Sequence, residues 1–201
     1  MMAAPTTTRI EKVAEADFPS EYGHFRIFGF RTLAVEPEEA VVLRLGDIST
    51  PEPPLVRIHS ECLTGDVFHS LRCDCRAQLE LALEQIHAEG RGLLIYEHQE
   101  GRGIGLLNKL RAYELQDNGA DTVEANIRLG FEADLRDYVL PAEILLYFGV
   151  KRVRLMSNNP EKIEALERVG IEVERVPAIV TPVESREDYL RTKKEKMGHL
   201  F

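Results

Sequence analysis

Arg57-Ile-His-Ser-Glu-Cys-Leu-Thr-Gly-Asp-Val-Phe-His-Ser-Leu-Arg-Cys-Asp-Cys-Arg-Ala-Gln78 opens as a strand and closes as a helix, and it holds all three cysteines of the chain. Cys62, Cys73 and Cys75 follow a C-x10-C-x-C spacing, with Asp66, Arg72 and Asp74 among them. Cys73 and Cys75 stand too close for an ordinary disulfide, and an odd number of thiols points to a metal or to catalysis before a disulfide framework. Zinc takes four protein ligands at structural sites, but three plus water at catalytic ones. Three thiols fit the open arrangement, in which the ion lowers the pKa of its water to about 7. A closed Cys3His site using His59 or His69 is the alternative. Thiols buried as small apolar groups are a third reading, disfavoured by the charged residues between them.

Outward from this stretch, Leu55-Val-Arg-Ile58 reads as the strand that delivers it. From Cys75 onward, Leu79, Ala82, Leu83 and Ile86 fall at i, i+3, i+4 and i+7, the buried stripe of a helix closed by Gly90 or Gly92. Leu93-Leu-Ile-Tyr96 is the next buried strand. A second helix is expected with Leu106, Leu110 and Tyr113 on one face, ending at Asn118-Gly119. Residues 121 to 137 read as a polar stretch broken at Leu129-Gly-Phe131. A third helix carries Pro141 in its first turn. Arg152-Val-Arg-Leu-Met156 is a strand, and Asn158-Asn-Pro160 opens a helix with Ile163 and Leu166. Ile171 to Val176 alternates as a half-exposed strand, and Ser185-Arg-Glu-Asp188 starts a last helix. Upstream, Ala40 to Ile48 is a strand, Thr50-Pro-Glu-Pro-Pro54 a loop, and Phe25, Ile27 and Phe30 suggest short strands. Alternating strands and helices predict a single α/β domain with a mixed or largely parallel sheet flanked by helices. Residues 1–9 are expected to be a flexible terminus and 10–201 one catalytic domain.

The chain has 201 residues, 44% hydrophobic and 29% charged, which reads as globular and large enough for one core. No apolar run approaches the roughly 20 residues of a membrane span. The first residues lack the basic and apolar segments of a signal peptide, so the cytoplasm is the expected address. A net charge of −9 argues against a nucleic-acid partner. A local cluster of Arg and Lys can still overrule the global sign for a small anion.

Read as whole motifs, Arg57 to Asp66 and Arg72-Cys-Asp-Cys75 with Gln78 resemble GTP cyclohydrolase II. The same family is matched by Glu100-Gly-Arg-Gly-Ile-Gly-Leu-Leu-Asn-Lys109, Arg111-Ala-Tyr113, Asp121-Thr-Val-Glu-Ala-Asn126, Leu129-Gly-Phe131, Asp134-Leu-Arg-Asp137, Asn158-Asn-Pro160 and Lys193 to His199. The resemblance runs from about residue 10 onward. It implies zinc on Cys62, Cys73 and Cys75, and Mg2+ on the triphosphate of GTP. It further implies opening of the guanine imidazole ring with loss of C8 as formate and loss of pyrophosphate. The product would be 2,5-diamino-6-ribosylamino-4(3H)-pyrimidinone 5′-phosphate, at the entry to riboflavin synthesis. A homodimer is implied too.

By the same resemblance, Tyr113 assists ring opening, where a phenol can donate a proton. Arg57, Ile58, His59, Ser60, Glu61, Gln78, Glu100, Gly101, Arg102, Thr122, Ser157 and Lys162 match nucleotide-binding positions. Gln78 offers a donor and an acceptor to a base edge, Arg57 and Lys162 can meet phosphate charge, and Glu100 can accept from guanine N–H groups. Asp134 and Arg136 match a proton acceptor and a nucleophile toward the α-phosphorus. Without that context, the pair reads as a surface ion pair worth about 0–1 kcal/mol, and Tyr113 as a residue packed on a helix face.

Three positions depart from the family pattern: Arg76 where Gly is usual, His69 where a small residue is usual, and Ser157 in place of Thr. The first two flank the cysteine loop. Two other functions stay open on sequence. One is a related cyclohydrolase that opens the ring but retains the formyl group, against which Tyr113 argues. The other is a zinc- and nucleotide-binding regulatory module without turnover. A fusion with a dihydroxybutanone-phosphate synthase is disfavoured by length.

Overall fold

A computed structural model describes residues 10–180, 198 and 200. The expected flexible terminus, the helix starting at Ser185 and most of the Lys193 to His199 motif lie outside the described residues. Seven strands form one sheet: β1 (Ile10–Ser20), β2 (Gly23–Thr32), β3 (Glu39–Leu45), β4 (Leu55–Ser60), β5 (Gly92–Glu97), β6 (Arg152–Met156) and β7 (Glu172–Val176). Their order is β1-β2-β3-β5-β4-β6-β7. β1, β2, β3 and β5 pair antiparallel in turn, whereas β5, β4, β6 and β7 run parallel. The sheet is therefore mixed, antiparallel on one side and parallel on the other. Parallel neighbours need a crossover, usually a helix. It is supplied between β4 and β5 by α2 (Cys75–Glu89), and between β6 and β7 by α6 (Pro160–Arg168).

Period-two alternation splits the strands between two cores. Val56, Ile58, Leu93, Ile95, Val153 and Leu155 point to the face covered by α5 (Val139–Tyr147) and α6. Leu55, Leu94 and Met156 point to the opposite face and meet Ala82 and Ile86 of α2. β4, at the centre, is buried on both faces, which is why its sequence reads as a continuous apolar run interrupted only by Arg57 and His59. Asn159 caps α6 by accepting from the Glu161 N–H, with Pro160 at the first helical position.

Three expectations change. The short strands expected near Phe25 to Phe30 are a long hairpin, β1 and β2, turned at Glu21-Tyr22. β1 is almost wholly exposed at the sheet edge, so its sequence lacks the apolar alternation that marks a half-buried strand. The polar stretch after Asp121 contains α4 (Thr122–Arg128), started by a capping box in which Asp121 and Glu124 satisfy each other's backbone N–H groups. In α3 (Leu106–Asp117), Leu107 and Leu110 are 74% and 42% exposed, and the buried residue is Ala112. α3 and α4 share a small core of Ala112, Ala120 and Ala125 with Leu115 and Leu129. No helix among the described residues is long and apolar enough to cross a membrane.

Candidate active site

β4, β5 and β6 end side by side, and the chain leaving each carbonyl end lines one cleft. This is where open α/β sheets place ligands. Residues Arg57 and 59–62 come from β4 and its exit, 99–102 from the exit of β5, and 157–159 and Lys162 from that of β6. The far wall is α3, which presents Lys109, Ala112, Tyr113 and Gln116, spaced i, i+3, i+4 and i+7. The second helix is therefore amphipathic toward the cleft rather than toward the core.

The three thiols meet on one side of the cleft. Their Sγ atoms lie within 4.8 Å of one another, with Cys62 and Cys73 3.7 Å apart. α1 (Leu63–Asp66) turns the chain so that Gly65 faces them: a Cβ there would sit 2.8 Å from Cys73 Sγ and 3.1 Å from Cys62 Sγ. Asp66 fixes the turn by accepting from the Cys62 N–H (3.1 Å), the Tyr96 hydroxyl (2.8 Å) and His59 Nε2 (3.1 Å). Burial pushes the His59 pKa down, so the ring is the neutral donor to Asp66. His69 adopts a left-handed conformation (φ 57°) and accepts from the Arg76 guanidinium. Arg76 also donates to the Asp66 carbonyl (3.1 Å) and pairs with Glu80 (2.7 Å). Neither histidine joins the thiols, and among the described residues the only grouping of metal-binding type is Cys62, Cys73 and Cys75. Hydrogen bonds from the Cys73 and Cys75 thiols, with the Lys109 ammonium nearby, hold the Cys62 thiol well below its ordinary range.

The nucleotide-binding candidates form two layers. In the inner layer, Arg57 donates to the Met156 carbonyl (2.8 Å) and to Gln78 Oε1 (2.5 Å), while Gln78 Nε2 donates to Asp74. Arg57 thus orients Gln78 from the wall of the cleft. Gln78 keeps one N–H and one lone pair beyond these bonds. Ile58 lies in the core behind the cleft, and its carbonyl accepts from Lys162 Nζ (2.9 Å). Glu100 is also committed: Oε2 accepts from the Leu63 N–H (2.7 Å), and Oε1 from Lys109 Nζ (2.7 Å) and the Gly101 N–H (2.8 Å). These bonds tie Glu100 to the cysteine turn, and Oε2 keeps one lone pair beyond them.

The outer layer faces the opening. Ser60, Glu61, Gly101, Arg102 and Thr122 line the cleft there, with Thr122 at the start of α4, whereas His59 and Ser157 line it from buried positions. The Tyr113 hydroxyl lies 3.0 Å from Thr64 Oγ1, and its ring carries the Arg72 guanidinium 4.7 Å from the centroid. Burial pushes the Tyr113 phenol up. Arg136 reaches the cleft and donates through Nε to Asp134 Oδ1 (2.9 Å) and through a terminal nitrogen to Oδ2 (2.5 Å). Both side chains are under 15% exposed, so this is no surface pair. Burial raises the Asp134 pKa, but the Arg136 bonds and charge outweigh it and hold the carboxyl below its ordinary value. Arg57, Arg72, Arg102, Lys109, Arg136 and Lys162 line one cleft in a chain of net charge −9, the local reversal of sign that a small polyanion requires. Sequence reasoning assigned no role to Asp66, Arg72, Gln99 or Lys109. All four lie in or beside quoted motifs, but their bonds join segments far apart in the chain.

The family model for GTP cyclohydrolase II matches residues 11–177. GTP cyclohydrolase-2 of Shigella boydii serotype 18 is 57% identical over 194 residues, covering 96% of this chain and 98% of the relative. GTP cyclohydrolase-2 of Haemophilus influenzae strain PittEE is 56% identical over 193 residues, covering 95% and 89%. Riboflavin biosynthesis protein RibBA of Chlorobium phaeovibrioides is 53% identical over 193 residues, 96% of this chain but 47% of the relative. Among solved structures, RibBX of A. baumannii, a two-domain 3,4-dihydroxy-2-butanone 4-phosphate synthase, shares the fold at a TM-score of 0.52 and 20% identity, over 87% of this chain and 42% of that one. With the family model spanning the sheet and every cleft-lining segment, the chain belongs to the GTP cyclohydrolase II family of riboflavin biosynthesis.

Proposed function

We propose that this chain hydrolyses GTP to 2,5-diamino-6-ribosylamino-4(3H)-pyrimidinone 5′-phosphate, formate and pyrophosphate, with zinc on Cys62, Cys73 and Cys75 and Mg2+ on the triphosphate. The observation that carries this reading is the convergence of three thiols and six cations on one cleft. The donor set fits zinc: three sulfurs gather within 4.8 Å around a glycine whose missing side chain makes the room. Bound there, zinc supplies Lewis acidity and lowers the pKa of a coordinated water.

The chain's own groups do the rest. Gln78, oriented by Arg57 and Asp74, presents its remaining donor and acceptor to the base. Tyr113 Oη, kept protonated by burial and aimed by Thr64, offers a proton to the ring nitrogen that gains charge as its bond to C8 breaks. Arg102, Lys162 and Thr122 face the phosphates. At the α-phosphorus, attack by an Arg136 nitrogen forms a P–N bond and expels pyrophosphate while Asp134 takes the proton. Water then cleaves the P–N bond and the proton returns. The two-pronged Asp134–Arg136 bond favours a second role for Arg136, a fixed cation that stabilises charge at phosphorus. Mass analysis for a guanylylated chain separates the two. One catalytic domain over residues 10–201, a homodimer and a cytoplasmic address complete the reading.

The test is a mass-resolved assay of GTP with zinc-loaded protein and Mg2+. Formate and pyrophosphate in equal amounts are expected. A formamidopyrimidine end product would reassign the chain to the formyl-retaining reaction. Release of neither product would leave a nucleotide-binding module.

A further inference from the structure

Lys109 is not needed to build the thiol cluster, yet its ammonium is aimed at it. Nζ donates to Cys62 Sγ at 3.2 Å and to Glu100 Oε1 at 2.7 Å. The Lys109 and Glu100 side chains are 12% and 8% exposed, so the contact is largely withdrawn from water. Glu100 is anchored in turn. Its other oxygen accepts from the N–H of Leu63, the residue directly after Cys62, and Oε1 also accepts from the Gly101 N–H. A buried lysine held at both ends loses its freedom to follow a passing phosphate. Its position is set by a thiol and a carboxylate.

Charge gives the arrangement a purpose. Three thiolates carry three negative charges against a dication's two, so the bound centre is anionic. Strong sulfur donation saturates a metal ion and weakens its pull on a fourth ligand. A cationic donor on one thiolate draws electron density back from the sulfur, as groups beyond the direct ligands do at other metal sites. We propose that Lys109 is a positioning residue of the metal centre: its hydrogen bond to the Cys62 sulfur lowers the electron donation of that thiolate, and Glu100 locks the ammonium in place for this purpose. The inference rests on the zinc reading above, and it concerns how the site is tuned rather than whether it turns over GTP.

The experiment replaces zinc by Co2+ in the full-length chain and reads the thiolate-to-cobalt charge-transfer band. A hydrogen bond stabilises the sulfur electrons and moves this band to higher energy. Lys109→Met is expected to shift it to longer wavelength, with the ratio of cobalt to protein unchanged. Lys109→Arg, which keeps a cationic donor, is expected to restore most of the wild-type position. In the zinc-loaded proteins, the acidic limb of the formate-release profile should move to higher pH in Lys109→Met and return in Lys109→Arg. An unshifted cobalt band in Lys109→Met would overturn the proposal and leave the zinc reading intact. Absence of any thiolate-to-cobalt band in the wild type would overturn both. Should Lys109→Met fail to fold, Lys109→Gln, with a neutral donor, is expected to give a smaller shift in the same direction, and no shift there overturns the proposal equally. A wild-type protein with the band but no formate release would sink the proposed reaction alone.

Discussion

Gly65 shows how much one missing side chain can decide. Its backbone is ordinary for a helix, so the restriction comes from space: the added Cβ would press on two sulfurs and on the Cβ of Cys75. Gly65→Ala is expected to cost about 1–3 kcal/mol by overpacking and to cut zinc stoichiometry well below one per chain by elemental analysis. Full occupancy would show that the thiols can spread. A second residue-scale consequence lies at Glu97, 1% exposed at the end of β5, where burial pushes the carboxyl up to about 7 against the influence of Lys162 and Arg136. The folded state therefore binds this proton more tightly than the unfolded chain, and the contribution to stability falls as pH rises from about 4.5 to 7. Glu97→Gln is expected to remove that slope and to raise the unfolding free energy read from urea titration at pH 8, by up to about 3 kcal/mol from the size of the shift. A variant less stable than wild type at pH 8 would contradict it. The thiol cluster was legible from the C-x10-C-x-C spacing beside a strand end. The occupation of Glu100 and Arg57 was not, because their partners are up to 99 positions away.

Among the elements, the most readable were those whose burial follows one period. The stripe of α2 and the apolar runs of β4 and β5 face a core and show it. α3 misled because Leu107 and Leu110 are exposed while Lys109, Ala112, Tyr113 and Gln116 face a cleft, and a cleft imposes no hydrophobic pattern. α4 was hidden by polarity, although Asp121 and Glu124 carried its start signal. That cap places Thr122 at the cleft. Asp121→Ala is expected to weaken α4 by about 1 kcal/mol and to raise KM for GTP several-fold while leaving kcat nearly unchanged. An unaltered KM would detach the start of α4 from binding. The strip carrying Asp134 and Arg136 is held from the opposite side: Gln99 donates to the Asp137 carbonyl and accepts from its N–H, and the Leu135 N–H donates to the Arg102 carbonyl. The backbone around the Arg136 guanidinium is thereby pinned at both ends before any ligand arrives.

At the level of the molecule, the α/β class was legible from the alternation of strands and helices. The antiparallel half was less so, because β1 lies at an exposed edge where selection for burial is absent. The cleft is built from two materials. Its floor is the end of a sheet buried on both faces by large aliphatic side chains, whereas its α3–α4 wall rests on three alanines and two partly buried leucines. Little apolar area holds that wall, so it is expected to open locally at a cost well below that of global unfolding. Amide hydrogen exchange should show α3 and α4 exchanging about tenfold or more faster than β4 and β5; equal protection would mean the wall is as firmly seated as the sheet. Because Tyr113 and Lys109 ride on the soft wall while Cys62 follows the end of β4 and Cys75 begins α2, each local opening would withdraw the proton donor and the ammonium together while the sulfurs stay assembled. Catalytic readiness would then be a fluctuating property of a chain that remains folded throughout.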